Sequence, residues 1–283
     1  HPDMLIGARL GSPLLTGIGD HEHFLASDTA AVPASTKKVV YLNDGEIAML
    51  ARDGFTIHHT TNGHVTPHIE TISHAMAADL GRFQHYMQKE MYEQPETVQN
   101  VLRGRWDKTT AMPKFGGLNI SEEKLRSIRR LIFTACGTSY YAALLGEYLI
   151  EELTGLPVEV EYASELRYRH APFEANTLLA CISQSGETAD TLAAIREAKR
   201  RGLPTLGLVN VVGSSIAREV NGGIYLRAGP EMGVASTKAF TAQVTTLVLL
   251  TLYLGRLHNL SATEATRIYT ELLELPRHIR STL

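Results

Sequence analysis

Cysteine, tryptophan and net charge are all scarce in this chain. Its 283 residues include two cysteines and one tryptophan, and the formal charge at neutral pH is only −3. Cys136 and Cys181 each fall near the end of an apolar strand-like run and read as buried free thiols in a reducing cytoplasm, not as staples of a secreted module. With 27 basic against 30 acidic residues there is no electrostatic footprint for nucleic acid. The one run of three basic residues, Lys199-Arg200-Arg201, suits the negative end of a helix. No uninterrupted apolar run reaches bilayer length: residues 244–254 are too few, and no charged-then-apolar leader opens the chain. A globular, cytoplasmic chain with no membrane partner is expected, large enough for one or two hydrophobic cores. It begins at His1 instead of methionine, which suggests a piece of something longer.

Histidine is plentiful, and nine of the twelve precede residue 86: His1, His21, His23, His58, His59, His64, His68, His74 and His85. Their spacing lacks the convergent ligand pairs of a zinc site. Adjacent His58 and His59 would point to opposite faces of a strand, so no metal is expected.

Residues 1–72 read as antiparallel β structure. Runs at 12–18 and 38–42 are apolar, and Asn43-Asp44-Gly45, Arg52-Asp53-Gly54 and Asn62-Gly63 punctuate short segments at hairpin spacing. The apolar set looks too small for an independent core. Residues 73–120 read as a helical linker in which Pro95 ends one helix and opens another. Residues 121–262 alternate strand-like runs (131–135, 158–161, 177–182, 205–209, 223–226) with helix-length segments, the first opened by Ser121-Glu122-Glu123-Lys124. That alternation gives an α/β fold, a doubly wound five-stranded parallel sheet that places ligands at the carboxyl ends of its strands.

Three of those strand ends run into small hydroxyl residues at a helix start. They are Cys136-Gly137-Thr138-Ser139, then Ser183-Gln184-Ser185-Gly186-Glu187-Thr188, then Gly229-Pro230-Glu231-Met232-Gly233-Val234-Ala235-Ser236-Thr237-Lys238. A helix start presents unpaired N–H groups and the positive end of the macrodipole, so it favours an oxyanion without any lysine. At about 1.5–3 kcal/mol for each charge-assisted hydrogen bond, three or four would make a micromolar-class anchor for a phosphomonoester once entropy is subtracted. A dinucleotide site would want Gly-x-Gly-x-x-Gly after the first strand, and Cys136-Gly137-Thr138-Ser139-Tyr140-Tyr141 lacks those glycines, so no cofactor is expected.

These runs, together with Gly233-Val234-Ala235-Ser236-Thr237-Lys238-Ala239-Phe240-Thr241 and Tyr86-Met87-Gln88-Lys89-Glu90-Met91-Tyr92-Glu93-Gln94-Pro95, resemble the glutamine–fructose-6-phosphate aminotransferase (isomerizing) family. The hydroxyl-rich runs mark its sugar isomerase (SIS) domain, and the Tyr86–Pro95 run marks the linker before it. Gly11-Ser12-Pro13-Leu14 and Ala26-Ser27-Asp28 resemble the tail of its N-terminal-nucleophile glutamine amidotransferase domain. The resemblance implies an antiparallel glutaminase remnant (1–72), a linker (73–120), a SIS domain (121–262) and the start of a connection to a second SIS domain (263–283). It implies that Ser183, Gln184, Ser185 and Thr188 contact the phosphate of fructose 6-phosphate, with Thr138 and Ser139 at the neighbouring strand end and Val234 and Ser236 lining the sugar. It further implies glucosamine 6-phosphate as product, glutamine as nitrogen donor through an upstream part, and a homodimer for the full-length enzyme. The family's catalytic residues would all lie outside this chain, leaving this piece inactive alone. Lys238, in Ser-Thr-Lys at a helix start, suits a structural role instead of a Schiff base.

Two rival readings remain open at this stage. One is a non-catalytic SIS sugar-phosphate sensor, although residues 1–120 offer no DNA-binding helix pair. The other is a stand-alone sugar-phosphate isomerase whose base would be Glu187, Glu231 or a residue of a partner subunit.

Overall fold

Runs of alternating apolar residues separated by Gly, Asn and Asp turns must pair as strands to satisfy their backbones. The computed structural model describes residues 3–27, 31–32, 36–71 and 80–283; His1, Asp28 and residues 72–79, with His74, lie outside the described residues. The chain divides into two compact units, one of His1–Asp79 with Glu187–Ala189, the other of Leu80–Gly186 with Asp190–Leu283.

Among the described residues the first unit has strands β1 (Met4–Ala8), β2 (Leu15–Ile18), β3 (His23–Ala26), β4 (Lys38–Tyr41), β5 (Glu46–Ala51), β6 (Gly54–His59), β7 (Gly63–Val65) and β8 (Glu70–Thr71). They form two four-stranded antiparallel sheets ordered β1-β5-β6-β7 and β3-β2-β4-β8. The three predicted turns fall between β4 and β5, β5 and β6, and β6 and β7. The apolar set is small, and it is gathered in one place: Val40 of β4 and Leu42 just after it pack with Ala48, Leu50 and Ile57 of the other sheet. Each sheet offers one apolar face by its period of two, and the two faces bury each other. On the edge strand β1, Leu5 and Ile6 stay 58% and 63% exposed.

The second unit runs α1 (Tyr86–Leu102), β9 (Trp106–Asp107), β10 (Met112–Pro113), α2 (Glu122–Ser127), β11 (Arg130–Ala135), α3 (Thr138–Thr154), β12 (Val158–Tyr162), α4 (Ala163–Tyr168), β13 (Thr177–Ser183), α5 (Ala189–Arg200), β14 (Thr205–Val209), α6 (Ser215–Glu219), β15 (Gly222–Tyr225), α7 (Lys238–Leu257) and α8 (Ala262–Thr282). Strands β11 to β15 make one parallel sheet in the order β12-β11-β13-β14-β15, matching the five predicted runs. Alternation sends Phe133, Leu178, Ala180, Ile182, Leu206 and Leu208 into a core shared with α3 and α7. Ile132 and Leu179 face the other way, with Leu166, Ala194 and Ala198, and Cys181 meets Leu192, Ile195 and Ile216. Both faces are therefore covered, as a buried parallel sheet requires. Helix α7 is 20 residues long and apolar enough to match a bilayer span by length and composition, yet two thirds of it is buried inside the fold, where it serves as a core helix.

Helix α1 corrects the reading of Pro95, because it runs unbroken from Tyr86 to Leu102 with Pro95 buried inside. Proline removes the N–H that the carbonyl four residues earlier would accept. Here the side-chain amide of Gln94 donates to that carbonyl, Met91 O, at 2.9 Å. The helix packs on α7 and α8.

Candidate functional site

In chain order the sheet reads 2-1-3-4-5, so the connection from β11 runs to one side and that from β13 to the other, and a topological switch point opens between β11 and β13. Thr134 pairs with Cys181. Extending that register sets Ser183 level with Cys136, on strands about 4.8 Å apart. The first two predicted turns thus flank the crevice where such sheets receive ligands.

After β11 the chain turns at Gly137, with φ 59° and ψ −138°, directly into α3. Glycine at the N-cap leaves that residue with no side chain to cap the helix. Thr138 is exposed in the first turn. Ser139 is buried, and its Oγ accepts a hydrogen bond from Gln243 Nε2 of α7 at 2.9 Å. Because that bond uses a lone pair, the Ser139 hydroxyl proton stays available to another acceptor.

After β13 the chain makes a tight turn. Ser183 Oγ accepts from Gly186 N at 2.9 Å, and the Gly186 carbonyl accepts from Ile216 N at 3.0 Å. Gly186 has φ +68°, and a Cβ on it would lie 2.0 Å from Ser214 Oγ and 2.7 Å from Val209 Cγ1. Only glycine fits. Gln184 and Ser185 are half-buried beside this turn. Thr188 immediately precedes α5 and groups with the first unit. Asp190, in the first turn of α5, pairs with Arg167 Nη1 at 2.9 Å, which balances a negative charge near the helix start.

The third strand end differs from the expectation of three equivalent helix starts. Glu231 fills the start of α7: its carboxylate accepts from Ser236 Oγ at 2.8 Å, Thr237 N at 2.9 Å and Ala239 N at 3.1 Å. An anion already sits on that dipole, so α7 is closed to phosphate, and Ser236 spends its hydroxyl proton on Glu231. Val234 stands fully exposed on the same loop. Asn210, just past β14, ties the loop down by donating to Gly229 O at 2.7 Å and accepting from Ala228 N at 2.8 Å. Lys238 is buried, its Nζ 2.6 Å from Glu93 Oε2 of α1. Glu90 of α1 accepts from Met232 N at 2.5 Å and from Gly233 N at 3.1 Å. Gln243, Glu90 and Glu93 were not among the site residues expected from sequence, since each acts on a residue brought near only by the fold, and the hydroxyl pattern used to find the site gives carboxylates and amides no weight; Glu231, which the isomerase reading named as a candidate base, caps α7 here. Among the described residues no group of three or more His, Cys, Asp or Glu side chains is placed to hold a metal ion.

Known proteins resemble this chain in sequence and fold. A family model described as the SIS domain matches residues 124–253. The chain is 46% identical over 276 residues to the glutamine–fructose-6-phosphate aminotransferase (isomerizing) of Chlorobaculum tepidum, covering 97% of this chain and 45% of that one. Against the protein of the same name from Bacteroides thetaiotaomicron the identity is 43% over 286 residues, covering 100% and 47%. The solved C-terminal domain of glucosamine-fructose-6-phosphate aminotransferase from Francisella tularensis superposes with a TM-score of 0.67 at 36% identity, over 71% of this chain and 56% of that one. The chain spans about half the length of the curated relatives it matches. With a SIS domain at its centre and this likeness along nearly its whole length, the chain belongs to the glutamine–fructose-6-phosphate aminotransferase family.

Proposed function

We propose that this chain is the sugar-phosphate-binding part of an enzyme that transfers the amide nitrogen of glutamine to fructose 6-phosphate, giving glucosamine 6-phosphate and glutamate, the first step of amino-sugar synthesis. The observation that carries the binding role is the pair of hydroxyl-bearing turns at the switch point, one leading through the N-cap glycine Gly137 into α3 and the other into α5. The phosphate takes backbone N–H groups of these turns with the hydroxyls of Thr138, Ser139, Ser183 and Ser185 and the amide of Gln184. Val234 and Ser236 line the sugar. The likeness to the aminotransferases runs through the N-terminal β unit as well, which a bare sugar-phosphate sensor has no need of. The enzyme is cytoplasmic, and the full-length form is a homodimer.

Recognition and chemistry are separate within these residues. Imine formation needs a lysine with a free amine, and the buried Lys238 is held in an ion pair with the half-buried Glu93. The chain as it stands is therefore expected to bind fructose 6-phosphate and to form no glucosamine 6-phosphate from ammonium. Calorimetric titration with fructose 6-phosphate, beside an amino-sugar assay, tests both halves. Absence of binding would overturn the proposed site, and ammonia-dependent turnover would overturn the separation.

A further inference from the structure

A buried carboxylate needs partners, and Glu90 finds them in another element's backbone. It is 3% exposed and sits in the second turn of α1. Its Oε1 accepts from Met232 N at 2.5 Å and Gly233 N at 3.1 Å, and Oε2 also lies 3.1 Å from Gly233 N. Two further α1 side chains hold the same stretch: Glu93 on Lys238 at 2.6 Å, and Gln94 accepting from Thr241 Oγ1 at 2.6 Å. The approach is close enough to dictate the residue opposite. A Cβ on Gly233 would lie 2.6 Å from Glu90 Oε2 and 3.4 Å from Met87 Cα.

The stretch so held runs from the carboxyl end of β15 into α7. Tyr225 is level with Val209, and Val209 with Ser183, so the loop leaves the sheet at the same end as the Ser183 turn. Asn210 holds its first residues. Five residues into α7, Gln243 reaches Ser139. The loop is thus anchored on both sides of its exposed residue Val234; Glu231 ties its far end to the start of α7, while the Met232 and Gly233 amides at its crest are held by Glu90.

We propose that Glu90 is a positioning residue for sugar recognition: by holding the Met232 and Gly233 amides it sets the 229–237 loop as the sugar-side wall of the site, while the phosphate side is set by the β11 and β13 turns. This rests on the site proposed above and adds to it a division of labour. A carboxylate on a linker helix decides how well the hexose is held, and has no part in holding the phosphate.

The test uses the whole chain with two probes, fructose 6-phosphate and inorganic phosphate, titrated by calorimetry into the wild type and into Glu90→Ala, Glu90→Gln and Gly233→Ala. In Glu90→Ala the hexose phosphate is expected to bind at least about tenfold more weakly with phosphate affinity unchanged. Glu90→Gln, which keeps one acceptor oxygen where Oε1 serves both amides, should recover most of the difference. Gly233→Ala should reproduce the loss while Glu90 remains, which covers the case of an alanine variant that fails to fold. Equal weakening of both probes would make Glu90 a merely structural anchor and overturn the inference. So would unchanged hexose phosphate affinity in Glu90→Ala and Gly233→Ala. If the wild type binds neither probe, the site itself is wrong, and that failure is distinct from the other two.

Discussion

At the residue scale, the site depends on positions where one atom more or less changes the backbone. Gly186 combines a positive φ with no room for a methyl group against Ser214 and Val209. A left-handed non-glycine residue costs roughly 1–2 kcal/mol and overpacking typically about 1–3, so Gly186→Ala should lower stability by about 2–5 kcal/mol in urea unfolding. A change below 1 kcal/mol would mean the turn relaxes freely. Ser185→Ala should weaken fructose 6-phosphate binding by about 1.5–3 kcal/mol, roughly tenfold to a hundredfold, if its hydroxyl meets a charged oxygen. Unchanged affinity would move the phosphate elsewhere. The two thiols should also part company. Burial pushes the Cys181 thiol up to about 12, whereas Cys136 is only half-buried at the β11 turn. Native-state alkylation at pH 8 should mark Cys136 alone, and mass spectrometry finding Cys181 labelled at a similar rate would contradict its placement.

At the element scale, the sequence was clear where a local rule decides and opaque where a distant partner does. The five strands of the parallel sheet were legible because unbroken apolar runs flanked by glycine and hydroxyl residues have few other homes, and the observed bounds lie within a residue or two of the runs. The turns of Asn43-Asp44-Gly45, Arg52-Asp53-Gly54 and Asn62-Gly63 were legible for the same reason. Helix α1 was misread at Pro95, since proline usually stops a helix and the rescue by Gln94 depends on a rotamer. The capped start of α7 was misread because Glu231 lies seven residues before Lys238, outside the spacing of an ordinary N-cap box. Ser139 was found as a hydroxyl, but its bond to Gln243 spans 104 residues and leaves no local trace. Gln94 offers a check on α1. Gln94→Ala leaves the Met91 carbonyl without its donor and the Thr241 hydroxyl without its acceptor, and should cost about 1–2 kcal/mol. A double-mutant cycle with Thr241→Ala should show the two changes to be non-additive, and strict additivity would mean the 2.6 Å contact contributes nothing.

At the scale of the whole molecule, two units each carry their own core, the larger built on the parallel sheet and the smaller between two antiparallel sheets. What the sequence could not supply was the order of the sheet, since parallel runs of similar composition can be arranged in several ways. Placing β13 beside β11, with β12 outside, is what brings the Cys136 and Ser183 turns to one crevice. The central claim, that this crevice holds the phosphate of a hexose phosphate, is tested most directly by following backbone amide shifts of the isotopically labelled chain on titration with inorganic phosphate and then with fructose 6-phosphate. Both ligands should move the amides of residues 137–139 and 184–187, and the sugar phosphate alone should add residues 232–237. Shifts confined to the amino ends of the strands, around Arg129, Arg130 and Val158, would contradict it.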